Sequence, residues 1–383
     1  ERGGVVAIDG PPCRTPPPDG LDYHGPENVR KRPGEREGTG SAISFRRRCS
    51  LRRSGAGLRT SAGRVKIPSV KIFFVTDLHG SEICWKKFLN AGSFYGADVV
   101  ILGGDVTGKA MVPIVQRPNG TWEASLQDHR DTLESEDAIV EFEKRVMNRG
   151  YYPIRVSDQE YVAMQEDEDL VDKRFKEVML DGTERWIAMA EEKLADTGIR
   201  VIACPANDDM FEIDDLLAGA RVVETGDENH PIQLGEFTMV SMGWTNPTPW
   251  HTFREAEEPQ IAERIETALT AASDPETTIF NFHAPPYGSK LDNAPALNDD
   301  LTYVSGGQAL RPVGSTSVHE AIKRFQPMLS LHGHIHESKG AARIGKTLAL
   351  NPGSSYEEGI LQAAVVTIDD KKRKVKNYQL VNG

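Results

Sequence analysis

The sequence predicts an α/β fold, on three observations. Short, mostly apolar runs recur between residues 70 and 331, and most of them end in residues able to bind a metal. Helix-like segments separate several of these runs. Beyond residue 340 the spacing changes to that of hairpins. Apolar runs without polar alternation are those of strands buried on both faces, as in a parallel sheet covered by helices.

The chain has 383 residues, room for one large α/β domain or two smaller ones. Residues 1–65 read as a disordered tail rich in Pro, Gly and Arg, with Pro16-Pro17-Pro18 and Arg46-Arg47-Arg48 and no hydrophobic period. Such a segment buries too little surface to offset its ordering entropy. The domain is expected at 66–383. Val70 to Thr76 reads as its first buried strand, followed by a helix from Ser81 to Asn90 with Ser81 as cap. Asp98 to Leu102 is a second strand and ends in Gly103-Gly104-Asp105. From about 121 to 197 the sequence turns charged and reads as a helical insert. Ile199 to Ala203 is a third strand, leading to Asn207-Asp208-Asp209. Further strands are expected at Phe237 to Met242, Thr277 to Phe282 and Met328 to Leu331, with a helix at Val318 to Phe325 before the last. The C-terminal strands are Ala341 to Ile344, Thr347 to Leu350, Leu361 to Ile368 and Val375 to Leu380, separated by polar turns.

The net charge of -12 disfavours non-specific binding of nucleic acid. It leaves a small phosphorylated substrate open, because metal ions reverse the field locally. No run approaches the ~18 apolar residues of a membrane span. The four cysteines, Cys13, Cys49, Cys84 and Cys204, show no metal or disulfide spacing, which fits a reducing, cytoplasmic compartment. Cys84 and Cys204 read as small buried apolar side chains.

The chemistry lies at the strand ends. They carry Asp77-Leu78-His79, Gly104-Asp105, Asn207, His283 and Gly333-His334-Ile335-His336. Loops at the carboxyl ends of α/β strands converge on one crevice, so these groups can meet in space. Each motif alone is weak; the weight lies in finding all five in order. Carboxylate oxygens, imidazole nitrogens and an amide oxygen form a mixed site suited to Mn, Fe or Zn. A carboxylate such as Asp105 can bridge two ions ~3.5–4 Å apart, a pair that binds phosphate and activates water.

In order and residue type these motifs resemble the calcineurin-like metallophosphoesterase superfamily, whose pattern is Asp-x-His, Gly-Asp, Gly-Asn-His-Asp/Glu, His and Gly-His-x-His. The resemblance covers Val70 to the C-terminus. It is nearest to small bacterial and archaeal phosphoesterases, with Asn351-Pro352-Gly353-Ser354 after the last histidines. It implies a four-layer α/β/β/α sandwich with a dinuclear metal site at the strand carboxyl ends. It also implies that Asp77, His79, Asp105 and His336 hold one divalent ion, and Asp105, Asn207, His283 and His334 the other. Mn is the first choice of metal. The implied reaction is hydrolysis of a phosphomonoester or phosphodiester by a metal-bound hydroxide. A nuclease and a non-catalytic metal-binding scaffold of the same fold are the alternatives.

The sequence departs from the pattern at Asp208, which stands where the family has a histidine that commonly assists the leaving group. An ionised aspartate only accepts hydrogen bonds, so Asp208 is a doubtful catalytic acid. Tyr287, Lys290 and Asp292 follow His283 closely and are candidates to line the substrate pocket. The oligomeric state is left open.

Overall fold

The computed structural model describes residues 8–9 and 69–383, apart from 128 and 299. Except for the pair Ile8–Asp9, the expected tail lies outside the described residues.

The main body is built on two six-stranded sheets. In the first, the order across the sheet is Lys374–Asn382, Gln362–Asp369, Ser69–Val75, Val99–Leu102, Arg200–Ala203 and Val223–Glu224. The last four of these run parallel. In the second, the order is Ile232–Leu234, Phe237–Met242, Thr278–Phe282, Leu329–Leu331, Thr347–Asn351 and Gly340–Ile344. Its four inner strands are parallel. Each expected strand is present, with ends within two residues of the reading.

Period-two alternation decides how the layers stack. Ile72 and Phe74 face a core shared with Met239, Ile279, Leu329 and Leu350 of the second sheet. Their neighbours Phe73 and Val75 face the other way, toward the helices Glu82–Tyr95 and Glu168–Leu194. Val240, Phe280 and Phe282 pack against the helices Glu258–Leu269 and Thr316–Phe325. The order across the molecule is therefore helix, sheet, sheet, helix. Because both faces of the inner strands are covered, these runs are mostly apolar, and the few polar residues in them, such as Ser241, Asn281 and Ser330, are buried.

Two local expectations need correction. Ser81 does stand at the N-terminal cap of the helix Glu82–Tyr95, but its side chain makes no capping bond. Its hydroxyl lies 2.7 Å from the carbonyl of Asn148 and 3.2 Å from that of Tyr356, so it ties three segments together. The insert read as helical at about 121–197 opens at Ala110 and carries a sheet of its own. That sheet contains Ala110–Gln116, Trp122–Leu126, His129–Leu133 and Tyr152–Ser157, with Ile8–Asp9 paired to Ala110 and Met111. The first of these contains Pro113, a residue type rarely found inside a strand. His129–Leu133 is largely exposed and lacks an apolar face.

The long helix of the insert, Glu168–Leu194, is not a solvated decoration. It buries Val171, Phe175, Met179, Trp186, Ala190 and Leu194 along one stripe. Trp186 stacks on Trp85 with centroids 4.6 Å apart and planes 6° from parallel. The Trp85 indole nitrogen donates to the Trp186 carbonyl at 3.1 Å. The insert thus completes the helical layer over the first sheet.

Candidate metal centre

All seven ligands foreseen from the sequence lie at strand carboxyl ends, and the structure gathers six of their charged or imidazole side chains into two clusters. Asp77, His79 and His336 form one, and Asp105, His283 and His334 the other. Within each, one potential ligand atom per residue lies within 4.8 Å of the others. The clusters touch: His283 Nε2 is 3.2 Å from Asp105 Oδ2 and 3.6 Å from Asp77 Oδ1. His336 Nε2 is 3.3 Å from Asp77 Oδ1 and 3.1 Å from His79 Nε2.

The backbone is bent to achieve this. Asp77, His79, Asp105 and His334 have φ of 55°, 41°, 51° and 67°, in the left-handed region that costs roughly 1–3 kcal/mol per non-glycine residue. The surroundings hold each bend. The amide of Asp77 donates to the Gly104 carbonyl at 2.9 Å, and the amide of His79 to the Asp105 carbonyl at 3.0 Å. The Asp77 carboxylate accepts from Thr76 Oγ1 at 2.6 Å and from the His334 amide at 3.1 Å. The Asn-Pro-Gly-Ser stretch has a role here. Asn351 Nδ2 donates to the Ile335 carbonyl at 3.0 Å, and Ser354 Oγ to the Asp77 carbonyl at 2.7 Å. Two glycines make room for close approach. A Cβ on Gly104 would come 2.1 Å from His283 Nδ1, and one on Gly333 would come 2.5 Å from Asp77 Oδ2.

A second layer orients the ligands. His332 is fully buried; its Nδ1 lies 2.7 Å from the Phe282 carbonyl and 3.0 Å from that of Ala284. Both partners are acceptors, so Nδ1 carries the proton and braces the segment that presents His283. Asn207 Nδ2 reaches Thr252 Oγ1 at 2.9 Å, while that hydroxyl lies 2.7 Å from Glu255 Oε1. The hydroxyl's proton goes to the carboxylate, which leaves its lone pair for the amide and turns Asn207 Oδ1 toward the site. Asp209, also fully buried, accepts from the amides of Val106, Thr107 and Ala206 at 2.8–3.0 Å. It clasps the Asp105 loop to the Asn207 loop.

The donors fit divalent metal ions. Asn207 Oδ1, His79 Nδ1 and His283 Nε2 are buried and lack a hydrogen-bond partner among the described residues. Buried polar atoms are ordinarily paired, and unpaired lone pairs beside carboxylates are what a metal site presents. At His334 and His79 the electrostatics agree. Burial pushes His334 down to about 3 and His332 down to about 4, and burial with Lys109 nearby pushes His79 well down, so these imidazoles are neutral. His283 is raised despite burial, by Asp105 and Asp77. Asp77 is held low against burial by His283, His336 and His79. Burial raises Asp105, and the nearby Asp208 pushes the same way.

The structure places the other candidates differently. Asp208 is brought to the site: its carboxylate lies 3.8 Å from His79 Nδ1, and its amide donates to Asp105 Oδ1 at 3.0 Å. Together with His79 and Asp105 it forms a third group of potential ligands. Tyr287 and Lys290 are exposed on the loop after His283, and the hydrogen bonds of their own amides go to Ser315 and Asp292. Asp292 is not a pocket residue. It is buried and accepts from the amides of Gly288, Lys290 and Gly314, which fixes that loop. Sequence reasoning missed Lys109, whose Nζ is 2.7 Å from Asp208 Oδ2. Its one signal is its place four residues after Asp105.

No family model matches the chain. An uncharacterised protein of Methanocaldococcus jannaschii is 27% identical over 184 residues, covering 47% of this chain and 77% of that protein. Among solved structures, the chain is similar to a protein of Thermus thermophilus at 13% identity and TM-score 0.45, covering 82% of this chain and 98% of that one. A phosphatase of Mycoplasma pneumoniae gives 13% identity and TM-score 0.39, with 82% and 93% covered. An E. coli phosphoesterase gives 12% identity and TM-score 0.29, with 81% and 98% covered. The two-sheet fold carries Asp77, His79, Asp105, Asn207, His283, His334 and His336, in this order, at the carboxyl ends of its strands.

Proposed function

We propose that the chain is a metal-dependent hydrolase of a small phosphomonoester or phosphodiester, acting through two divalent ions, with Mn the best single metal. The observation that carries this reading is the meeting of two clusters of imidazole and carboxylate around the Asp105 carboxylate. Asp77, His79 and His336 would hold one ion, Asn207, His283 and His334 the other, and Asp105 both. When bound, the ions would draw in a phosphate and activate a water as nucleophile. The chain's own part is to hold these ligands in strained but fixed positions, so little reorganisation is needed as charge develops. No helix among the described residues is long and apolar enough to cross a membrane. Cys84 and Cys204 are free and buried, which supports a cytoplasmic location.

The test is turnover of a panel of mono- and diesters, with single-stranded DNA and RNA alongside, by protein reconstituted with Mn, Fe or Zn. Chelation to a verified metal content of zero is expected to abolish turnover, and Mn to restore it best. Undiminished hydrolysis without metal sinks the mechanism. Cleavage confined to the nucleic acids identifies a nuclease, and metal binding without any turnover identifies a scaffold.

A further inference from the structure

Asp208 stands beside the metal ligands, yet an ionised carboxylate repels a phosphate oxygen. The structure shows what offsets it. Lys109 Nζ sits 2.7 Å from Asp208 Oδ2. The lysine side chain is 46% exposed and the aspartate side chain 13%, so the ammonium forms the outer, open side of the pair. Asp208 in turn is anchored to the centre of the site, its amide bonded to Asp105 Oδ1 at 3.0 Å.

Lys109 is not an ordinary surface lysine on a loose loop. The preceding amide, of Gly108, donates to the Tyr152 hydroxyl oxygen at 2.8 Å. Gly108 is packed so closely that a Cβ there would lie 2.2 Å from the Gly150 carbonyl oxygen. Two residues before Lys109, the amide and hydroxyl of Thr107 bind Asp209 at 2.8 and 2.7 Å. The next residue, Ala110, opens the insert's first strand. The insert and the Asp209 clasp thus fix the lysine's backbone from both sides, and Asp208 directs its tip. An ammonium has three donors and Asp208 Oδ2 takes one.

We propose that Lys109 is a substrate-binding residue whose ammonium, steered by Asp208, donates a charge-assisted hydrogen bond to an oxygen of the phosphate bound beside the metal pair. The assignment rests on the phosphoesterase reading above. It gives Asp208 the part of a positioning residue. It also supplies the donor missing where the superfamily has a histidine. The preferred ligand is a phosphate with free terminal oxygens, since a compact cation gains most from the more highly charged group.

The experiment is calorimetric titration of the Mn-loaded full chain with inorganic phosphate, with metal content and melting temperature measured for every variant. Lys109→Met is expected to weaken phosphate binding by ~10–100-fold at unchanged metal content, the scale of a hydrogen bond to a charged group. Lys109→Gln gives the same reading if the methionine variant melts early, and Lys109→Arg falls between wild type and Lys109→Met. Asp208→Asn loses the steering but also removes a competing anion, so binding weakens by less than in Lys109→Met. A merely structural ion pair predicts the opposite pattern, with both halves lowering the melting temperature and neither moving phosphate affinity. Wild-type binding with Lys109→Met and Lys109→Gln within twofold of it overturns the assignment and leaves the phosphoesterase reading standing. So does Asp208→Asn weakening binding as much as Lys109→Met. If the metal-loaded wild type neither binds phosphate nor hydrolyses any ester, the phosphoesterase reading falls and takes the Lys109 assignment with it.

Discussion

The two sheets contribute unlike halves of the site. The first brings Asp77, His79, Asp105 and Asn207, with three of the four in left-handed backbone. The second brings only imidazoles, His283, His334 and His336, of which His334 alone has positive φ. The oxygen half is held by its own backbone, through amide bonds between the Asp77 and Asp105 loops. The imidazole half is held by neighbours, including His332, Asn351 and the space left by Gly104. One half would therefore supply the negative charge that bound cations need, and the other would supply direction. Damage to the first should change how many ions are bound, and damage to the second where they sit.

The largest effect is expected from Asp105→Asn. Loss of the shared carboxylate should empty both sites and lower kcat/KM by more than the ~10–100-fold typical of changes outside the ligand shell. Metal content by mass spectrometry, read beside the rate, checks it. Two ions still bound at a near-normal rate would mean that Asp105 is not shared and that the halves are independent.

Gly104→Ala tests the space between the halves. Its new Cβ would lie 2.1 Å from His283 Nδ1, so the ring must move. A displacement of about 1 Å can cost ~10²-fold in rate. One ion should be lost or loosened while the other is retained, a pattern distinct from that of Asp105→Asn.

His332→Asn acts one layer further out. His332 lies outside the candidate ligand set, but its proton braces the carbonyls on either side of His283. Metal affinity is expected to fall by about 10-fold, toward the lower end for second-layer partners. A competitive chelator titration reads this directly; unchanged affinity would show that backbone alone fixes the imidazole half.

Deletion of residues 1–65 should matter least, since among the described residues it removes only the two-residue pairing of Ile8–Asp9 with Ala110 and Met111. A melting temperature shifted by less than the ~2–4 °C that 1 kcal/mol costs in a domain of substantial size, with kcat unchanged, is the expected result. A large drop in either would assign the segment to the folded body.

The comparison between sandwich and insert shows how far the sequence could be read. Ile72 to Val75 and, but for Asn281, Thr278 to Phe282 are made of strand-forming residues and buried on both faces, so their apolar character announces them. The insert offers no such announcement. Its strand His129–Leu133 is polar at an exposed edge, and its long helix hides Phe175, Met179 and Trp186 among charges. Its place beneath Gly108 depends on contacts that no local pattern records.

The sequence by itself determined the seven candidate ligands and their order, because metal chemistry demands particular side chains and strand ends demand particular neighbours. Only the tertiary structure decided which of the flanking polar groups join them. Asp292 turned inward to hold its own loop, while Asp208 met a lysine from the start of the insert. A lone Lys or Asp carries no periodicity, and the partner of each is chosen by where distant backbone segments come to rest. Whether such a group binds substrate or merely braces a loop is thus set by packing and not by its neighbours in the chain.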